Sequence, residues 1–417
     1  VDGAVRAALP ADQRFAVNFA DQALAGFLAW TGDPRVQARR AVEASPGLAM
    51  GHLLQAHLNL CSRDPAGLPV ARQALERARR LPLDAAARLH GAAIAATLAG
   101  DWLRARELLG CVLAQDPRDL LALAVAHTMD YYLGDAAALR ARVAAALPAW
   151  SRADPQYPGL LAMLAFGLEE NGEYGRAEDA ALEALELEPR NLRAHHARTH
   201  VLEMQGRAVE GIRWMAERSA HWTGEGASST HLWWHLALHH LELGDAREAL
   251  ALYDRHVAGV ALNELIDASA LLWRLELRGL ETGRRWRALA ERWAPRAGEA
   301  FCAFNDLHAM AAFVGACRRD LQRELLRAQR RRLALGGTNE GMLRSVGLPA
   351  CEALAAYGEG DYRRAADLLG RLPAVSHRLG GSHAQRGLLG LTLRAAERKI
   401  GVRARFFPTL SPAASAT

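Results

Sequence analysis

Residues Tyr157–Asn191 read YPGLLAMLAFGLEENGEYGRAEDAALEALELEPRN, and this stretch decides the fold. An apolar run ends at Gly172, where a turn needs a residue that reaches positive φ without steric cost. Tyr174 and Ala177 then open a second helical pattern, which continues through Ala184 and Leu185. Small residues at Ala177 and Ala184 let two helices approach closely. Pro189 stops the second helix because it has no N–H to donate. The whole is a helical hairpin of about one repeat length.

Weaker copies lie on both sides. Leu83–Asp119 turns at Gly100-Asp101-Trp102, and Asp119–Trp150 turns at Gly134-Asp135. Leu192–His221 turns at Gly206, Ser229–Val257 at Gly244-Asp245, and Val346–Leu369 at Gly360-Asp361-Tyr362. Pro46–Arg80, Asn263–Arg292 and Phe301–Leu333 complete a series of about nine hairpins. The unit resembles the tetratricopeptide consensus, whose period is about 34 residues. The expected fold is all-α: a right-handed α-solenoid, one superhelix of hairpins over residues 46–372. Residues 1–45 are expected to cap it with helix, and 373–405 to form a C-terminal capping helix. Residues 406–417, rich in Pro, Ala and Ser, are expected to be a disordered tail. Thr223–Ser229 and Gly336–Gly341 read as Gly-rich connecting loops.

Composition narrows the function. Of 51 basic residues only Lys399 is lysine, a bias of genomic composition rather than a nucleic-acid signature, and the net charge is +5. Five scattered cysteines, Cys61, Cys111, Cys302, Cys317 and Cys351, contain no C-x-x-C pair and argue against a disulfide framework or a thiolate zinc site. No leader and no long apolar run is visible, so a cytoplasmic protein without a membrane or nucleic-acid partner is expected. No P-loop, G-x-G-x-x-G, nucleophile elbow or EF-hand loop is present.

Histidine carries the chemical signal. Of sixteen histidines, eight fall between His195 and His240. His196, His200 and Glu203 stand at i, i+4 and i+7 on a first helix, so they share a face. His231 and His235 repeat the i, i+4 pair on the next first helix, beside Trp234. His196 to His231 and His200 to His235 are each 35 residues, one repeat. First helices of successive repeats lie side by side, so the pairs are expected to meet in one groove. His90, His127, Glu170, Asn305, Asp306 and His308 extend that wall. Ser382 and Gln385, after the Gly380-Gly381 loop, make a capping box whose N–H groups could also hold an anion. The seven arginines of Arg318–Arg332 lack interleaved aromatics and read as a solvated outer face.

Across most of the chain the sequence also resembles the tetratricopeptide repeat protein 38 family. The resemblance is carried by Trp30-Thr31-Gly32-Asp33, Met50-Gly51-His52, Leu89-His90, Tyr132-Leu133-Gly134 and Phe166-Gly167-Leu168. It continues through His196, His200, Glu203 and Met204, then His231, Trp234 and His235, and Leu252-Tyr253-Asp254. Late matches are Phe304-Asn305-Asp306 with His308, Val346-Gly347-Leu348-Pro349, and Leu379-Gly380-Gly381-Ser382 with Ala384-Gln385-Arg386. The resemblance implies a curved helical-repeat fold and an intracellular protein, and it carries no reaction with it. Leu202 and Leu232 depart from the family pattern, which has a His and an Asn there.

Three readings stay open. The first is a binding module that holds a small polar molecule or peptide through His196, His231, Trp234, Asn305, His127, His90, Glu170 and Gln385. The second is an enzyme without an organic cofactor, with His200, His235 and His308 as acid–base groups and Glu203 and Asp306 orienting them. The third adds a divalent metal on His196, His200, Glu203, His231 and His235. The pattern H-E-x-x-H is absent, which leaves the metal reading the least favoured of the three.

Overall fold

Gly-Asp dipeptides set the rhythm of the chain. Gly134 adopts the left-handed conformation (φ 69°) and ends one helix, and the Asp135 carboxylate accepts the Ala138 N–H at 3.0 Å to start the next. Asp101, Asp245 and Asp361 cap their helices in the same way. The turn and the cap are thus written in two adjacent residues at each of these hairpins.

The computed structural model describes residues 9–401, which contain helices and no strand. The tail expected at 406–417 lies outside the described residues, as do 1–8 and 402–405. The helices are α1 (Ala11–Ala29), α2 (Pro34–Ala44), α3 (Ala49–Leu60), α4 (Gly67–Ala78), α5 (Ala85–Leu98), α6 (Trp102–Gln115), α7 (Leu120–Leu133) and α8 (Ala136–Ala146). Next come α9 (Tyr157–Glu169), α10 (Tyr174–Leu187), α11 (Leu192–Met204), α12 (Ala208–Glu217), α13 (Ser219–Trp222), α14 (Ala227–Glu242) and α15 (Ala246–Leu252). The series ends with α16 (Leu262–Leu277), α17 (Arg285–Trp293), α18 (Ala303–Gly315), α19 (Arg319–Arg332), α20 (Thr338–Met342), α21 (Leu348–Gly358), α22 (Tyr362–Leu369) and α23 (His383–Lys399). Every expected hairpin is present as a helix pair, so the fold is an all-α helical repeat.

Two of the expected loops are shorter than the sequence suggests. α14 begins at Ala227, because Ser229 accepts from the Glu225 N–H (2.8 Å) and donates to the Trp222 carbonyl (2.5 Å), pinning the helix start. The second loop is largely taken up by α20.

The described chain forms two compact units. The first holds residues up to Asn171, Asp179–His195 and Gly337–Asn339; the second holds Gly172–Glu178, His196–Gly336 and Glu340 onward. In the first unit, Leu28 packs with Leu123, Val143, Leu160 and Met163, and α9 lies against α1. Gly159 permits that approach, since a Cβ there would stand 2.8 Å from the Leu28 Cβ. Arg193 satisfies the end of α1 by donating to the carbonyls of Leu28 (2.8 Å) and Phe27 (3.0 Å).

In the second unit, α14, α16, α18 and α21 pack in sequence as neighbouring first helices. α23 then turns back onto α16. Trp273 donates its indole N–H to Thr392 Oγ1 at 2.8 Å, and Arg274 donates to the Ala384 carbonyl. α19 buries Leu321, Leu325 and Ala328 and turns its arginines outward, where Arg319 pairs with Glu359 and Arg330 with Glu352.

Candidate functional site

Helices α11 and α14 are neighbouring first helices of the second unit, and each presents two imidazoles one turn apart. The 35-residue offset therefore becomes a four-ring cluster. Centroid separations are 4.4 Å for His196–His200 and His200–His235, 4.9 Å for His231–His235, 5.0 Å for His196–His231 and 5.1 Å for His196–His235. One ring nitrogen from each of the four lies within 4.8 Å of the others. His196, His200 and His235 are buried, whereas the His231 side chain keeps 16% of its surface exposed.

Two carboxylates fix the rings from behind. His231 Nδ1 meets Asp267 Oδ2 at 2.9 Å, and His235 Nδ1 meets Glu203 Oε2 at 2.9 Å. A carboxylate acceptor places the proton on Nδ1 and leaves Nε2 with its lone pair. His231 Nε2 lies 3.2 Å from His196 Nε2. His235 Nε2 is buried and, among the described residues, has no hydrogen-bond partner. Trp234 stacks on the His231 ring at 5.3 Å with a 10° interplanar angle, fixing its plane.

Burial sets the charge state. Desolvation holds His200 and His235 well below the usual imidazole range, and the neighbouring imidazoles push them the same way. Both are neutral near pH 7. Burial raises the Glu203 carboxyl, against the opposing charges of His239, Arg274 and His231. Four converging imidazoles, of which His200 and His235 are held neutral, with two carboxylates behind them suit a divalent cation in charge as well as in donor type. A tetrahedral zinc with bonds of about 2.0–2.1 Å has nitrogens about 3.4 Å apart, close to the 3.2 Å between His231 Nε2 and His196 Nε2.

The other residues of the predicted wall are held differently. His308 Nδ1 donates to its own helix at the Phe304 carbonyl (2.8 Å), and Asp306 accepts from Gln329 Nε2 (2.9 Å) with its carboxyl pushed up to about 7 by burial. Asn305 is buried on the same helix. His90 joins His57 Nε2 (3.1 Å) to Asp119 (3.1 Å), His127 bonds the Met163 carbonyl (3.2 Å), and Glu170 caps α9. Gln385 forms the capping box with Ser382 that the spacing predicts.

Asp267 is the functional residue that sequence reading misses. It lies 36 residues after His231, so the same repeat offset that links the two His pairs also points to it.

No family model matches the chain. Among solved structures it is similar to the APC/C hetero-tetramer Cut9–Hcn1, at 12% identity and a TM-score of 0.38 over 86% of this chain and 72% of that one. It is also similar to the TPR domain of P58(IPK), at 16% identity and a TM-score of 0.22 over 94% of this chain and 99% of that one. Both likenesses concern fold and extend no further. No described helix is long and apolar enough to cross a membrane.

Proposed function

We propose that this helical-repeat protein is a metal-binding protein, whose ligand site holds one divalent transition ion on His196, His200, His231 and His235. The carrying observation is the convergence of four imidazoles, three of them buried and two oriented by Asp267 and Glu203. Imidazole donors suit zinc, copper, nickel and iron, and a carboxylate on the remote nitrogen raises the basicity of the ring. The neutral state that burial enforces on His200 and His235 is the ligating state. It also disfavours the cofactor-free acid–base reading, because an imidazole held neutral is a poor general acid near pH 7. Binding as a general role accords with the repeat architecture, by analogy of fold.

The test is direct. Protein purified without added chelator should contain about one equivalent of transition metal by elemental analysis. Chelated protein should take up cobalt(II) to one equivalent, with the visible absorption of a nitrogen-rich site. The paired substitution His200→Ala with His235→Ala should abolish both. Failure of zinc and cobalt alike to bind the intact protein below millimolar concentration would sink the proposal.

A further inference from the structure

A second polar feature lies in the same unit. A cavity of about 210 Å³ is lined by residues that include Glu203, His239, Arg274, Arg278, His383 and Arg394. Arg274 stands on α16 and Arg278 one turn further, at its C-cap, and Arg394 reaches in from α23. Other partly buried arginines of this unit meet a carboxylate: Arg198 and Arg207 share Glu178, Arg285 pairs with Asp254, and Arg332 with Glu340. Among the described residues Arg274, Arg278 and Arg394 form no ion pair.

Arg274 is the informative member. It is only 4% exposed, yet its guanidinium is answered by two neutral carbonyls, Ala270 and Ala384. A buried charge with no opposite partner is costly, and a guanidinium has five N–H groups to satisfy. Burial lowers its pKa to about 10 and the neighbouring Arg278 adds to that effect, against the opposing charges of Glu203 and Asp267. Arg278 is itself depressed by burial and by Arg394, with Glu242 opposing. Two carboxylates line the cavity, but Glu203 is engaged by His235 and Glu242 is exposed at the edge. The cavity thus sets three guanidinium groups against two carboxylates, neither of which lies within ion-pair distance of an arginine.

We infer that this cavity binds a small molecule carrying at least two negative charges, a phosphate monoester or a dicarboxylate, through Arg274, Arg278 and Arg394. Guanidinium groups take both chemistries by paired N–H···O bonds. The volume suits a compound of a few carbon atoms. The inference does not rest on the metal reading, since none of the three arginines belongs to the histidine cluster.

Isothermal titration of chelator-treated protein with sodium phosphate and with sodium succinate, at fixed ionic strength, tests it. At least one of them should bind saturably at one site with a submillimolar Kd. Phosphate binding would mark phosphate esters, and succinate binding dicarboxylates. Arg278→Gln and Arg394→Gln, both away from the interior, should each weaken binding about 10-fold or more, and the double variant should remove it. Arg274→Lys, which keeps charge but loses the fork, should weaken binding in the same way if it folds. The inference is overturned if neither anion binds, if the double variant binds as tightly as the parent, or if binding appears only in zinc-loaded protein.

Discussion

The histidines of the first unit and those of the second begin from the same place and end differently. In the first unit, His57, His90 and Asp119 form a linear relay, and His90 spends both ring nitrogens within it. His127 is closed off by a backbone carbonyl. In the second unit, the carboxylates take the outer nitrogens, and the inner nitrogens point at one another. Both arrangements put imidazoles on first helices of a repeat. What separates them is whether a carboxylate stands behind the ring or at the end of a chain. A chain satisfies polar groups and stabilises; a back-supported ring leaves a lone pair to offer.

That contrast can be broken by experiment. The largest effect is expected from losing two ligands: His196→Ala with His231→Ala should weaken zinc binding at least about 1000-fold, read by competition with a chelator of known affinity. Asp267→Asn comes next, with a loss of about 10- to 100-fold and an intact fold by circular dichroism. His90→Ala should leave zinc affinity unchanged but cost about 2–4 kcal/mol in urea unfolding, because His57 and Asp119 lose a partner. If His90→Ala lowers zinc affinity instead, the distinction between relay and cluster fails.

Two smaller effects depend on pH. Burial holds His127 well below its ordinary pKa, so the unfolded chain binds a proton that the folded chain refuses. Stability on this account is complete above about pH 6.5 and falls as pH drops below it, by up to about 1.4 kcal/mol per unit. His127→Gln should flatten that acid limb in urea titrations between pH 7 and 5. Asp306 has the opposite sign. Its folded pKa of about 7 lies above the unfolded value, so stability declines as pH rises from about 4 to 7. Asp306→Asn should remove that decline and raise the midpoint of unfolding at pH 8 relative to the parent.

Much of this was legible in the sequence. The Gly-Asp turns, the nine helix pairs and the capping box at Ser382 and Gln385 follow from local chemistry, which is where sequence reasoning is strongest. The pairing of His196 with His231 and of His200 with His235 follows from repeat length alone. Asp267 lies within reach of the same arithmetic, but a lone carboxylate one repeat on carries no signal of its own, since most such residues are solvated. His308 and Asp306 share the expected face, yet they spend their hydrogen bonds on Phe304 and Gln329, a choice that spacing cannot reveal. The cavity was illegible for a stronger reason. It needs Arg394 from a helix that folds back over α16, and repeat arithmetic describes only contacts between successive neighbours.

That returning helix has a consequence in time. Arg274 waits for an acceptor, Ala384, that lies 110 residues further along, and Trp273 for one 119 residues on. At about 5–20 residues per second of synthesis, the interval is roughly 5–25 s. Through that interval a nascent chain has the four imidazoles but not the strut beside them.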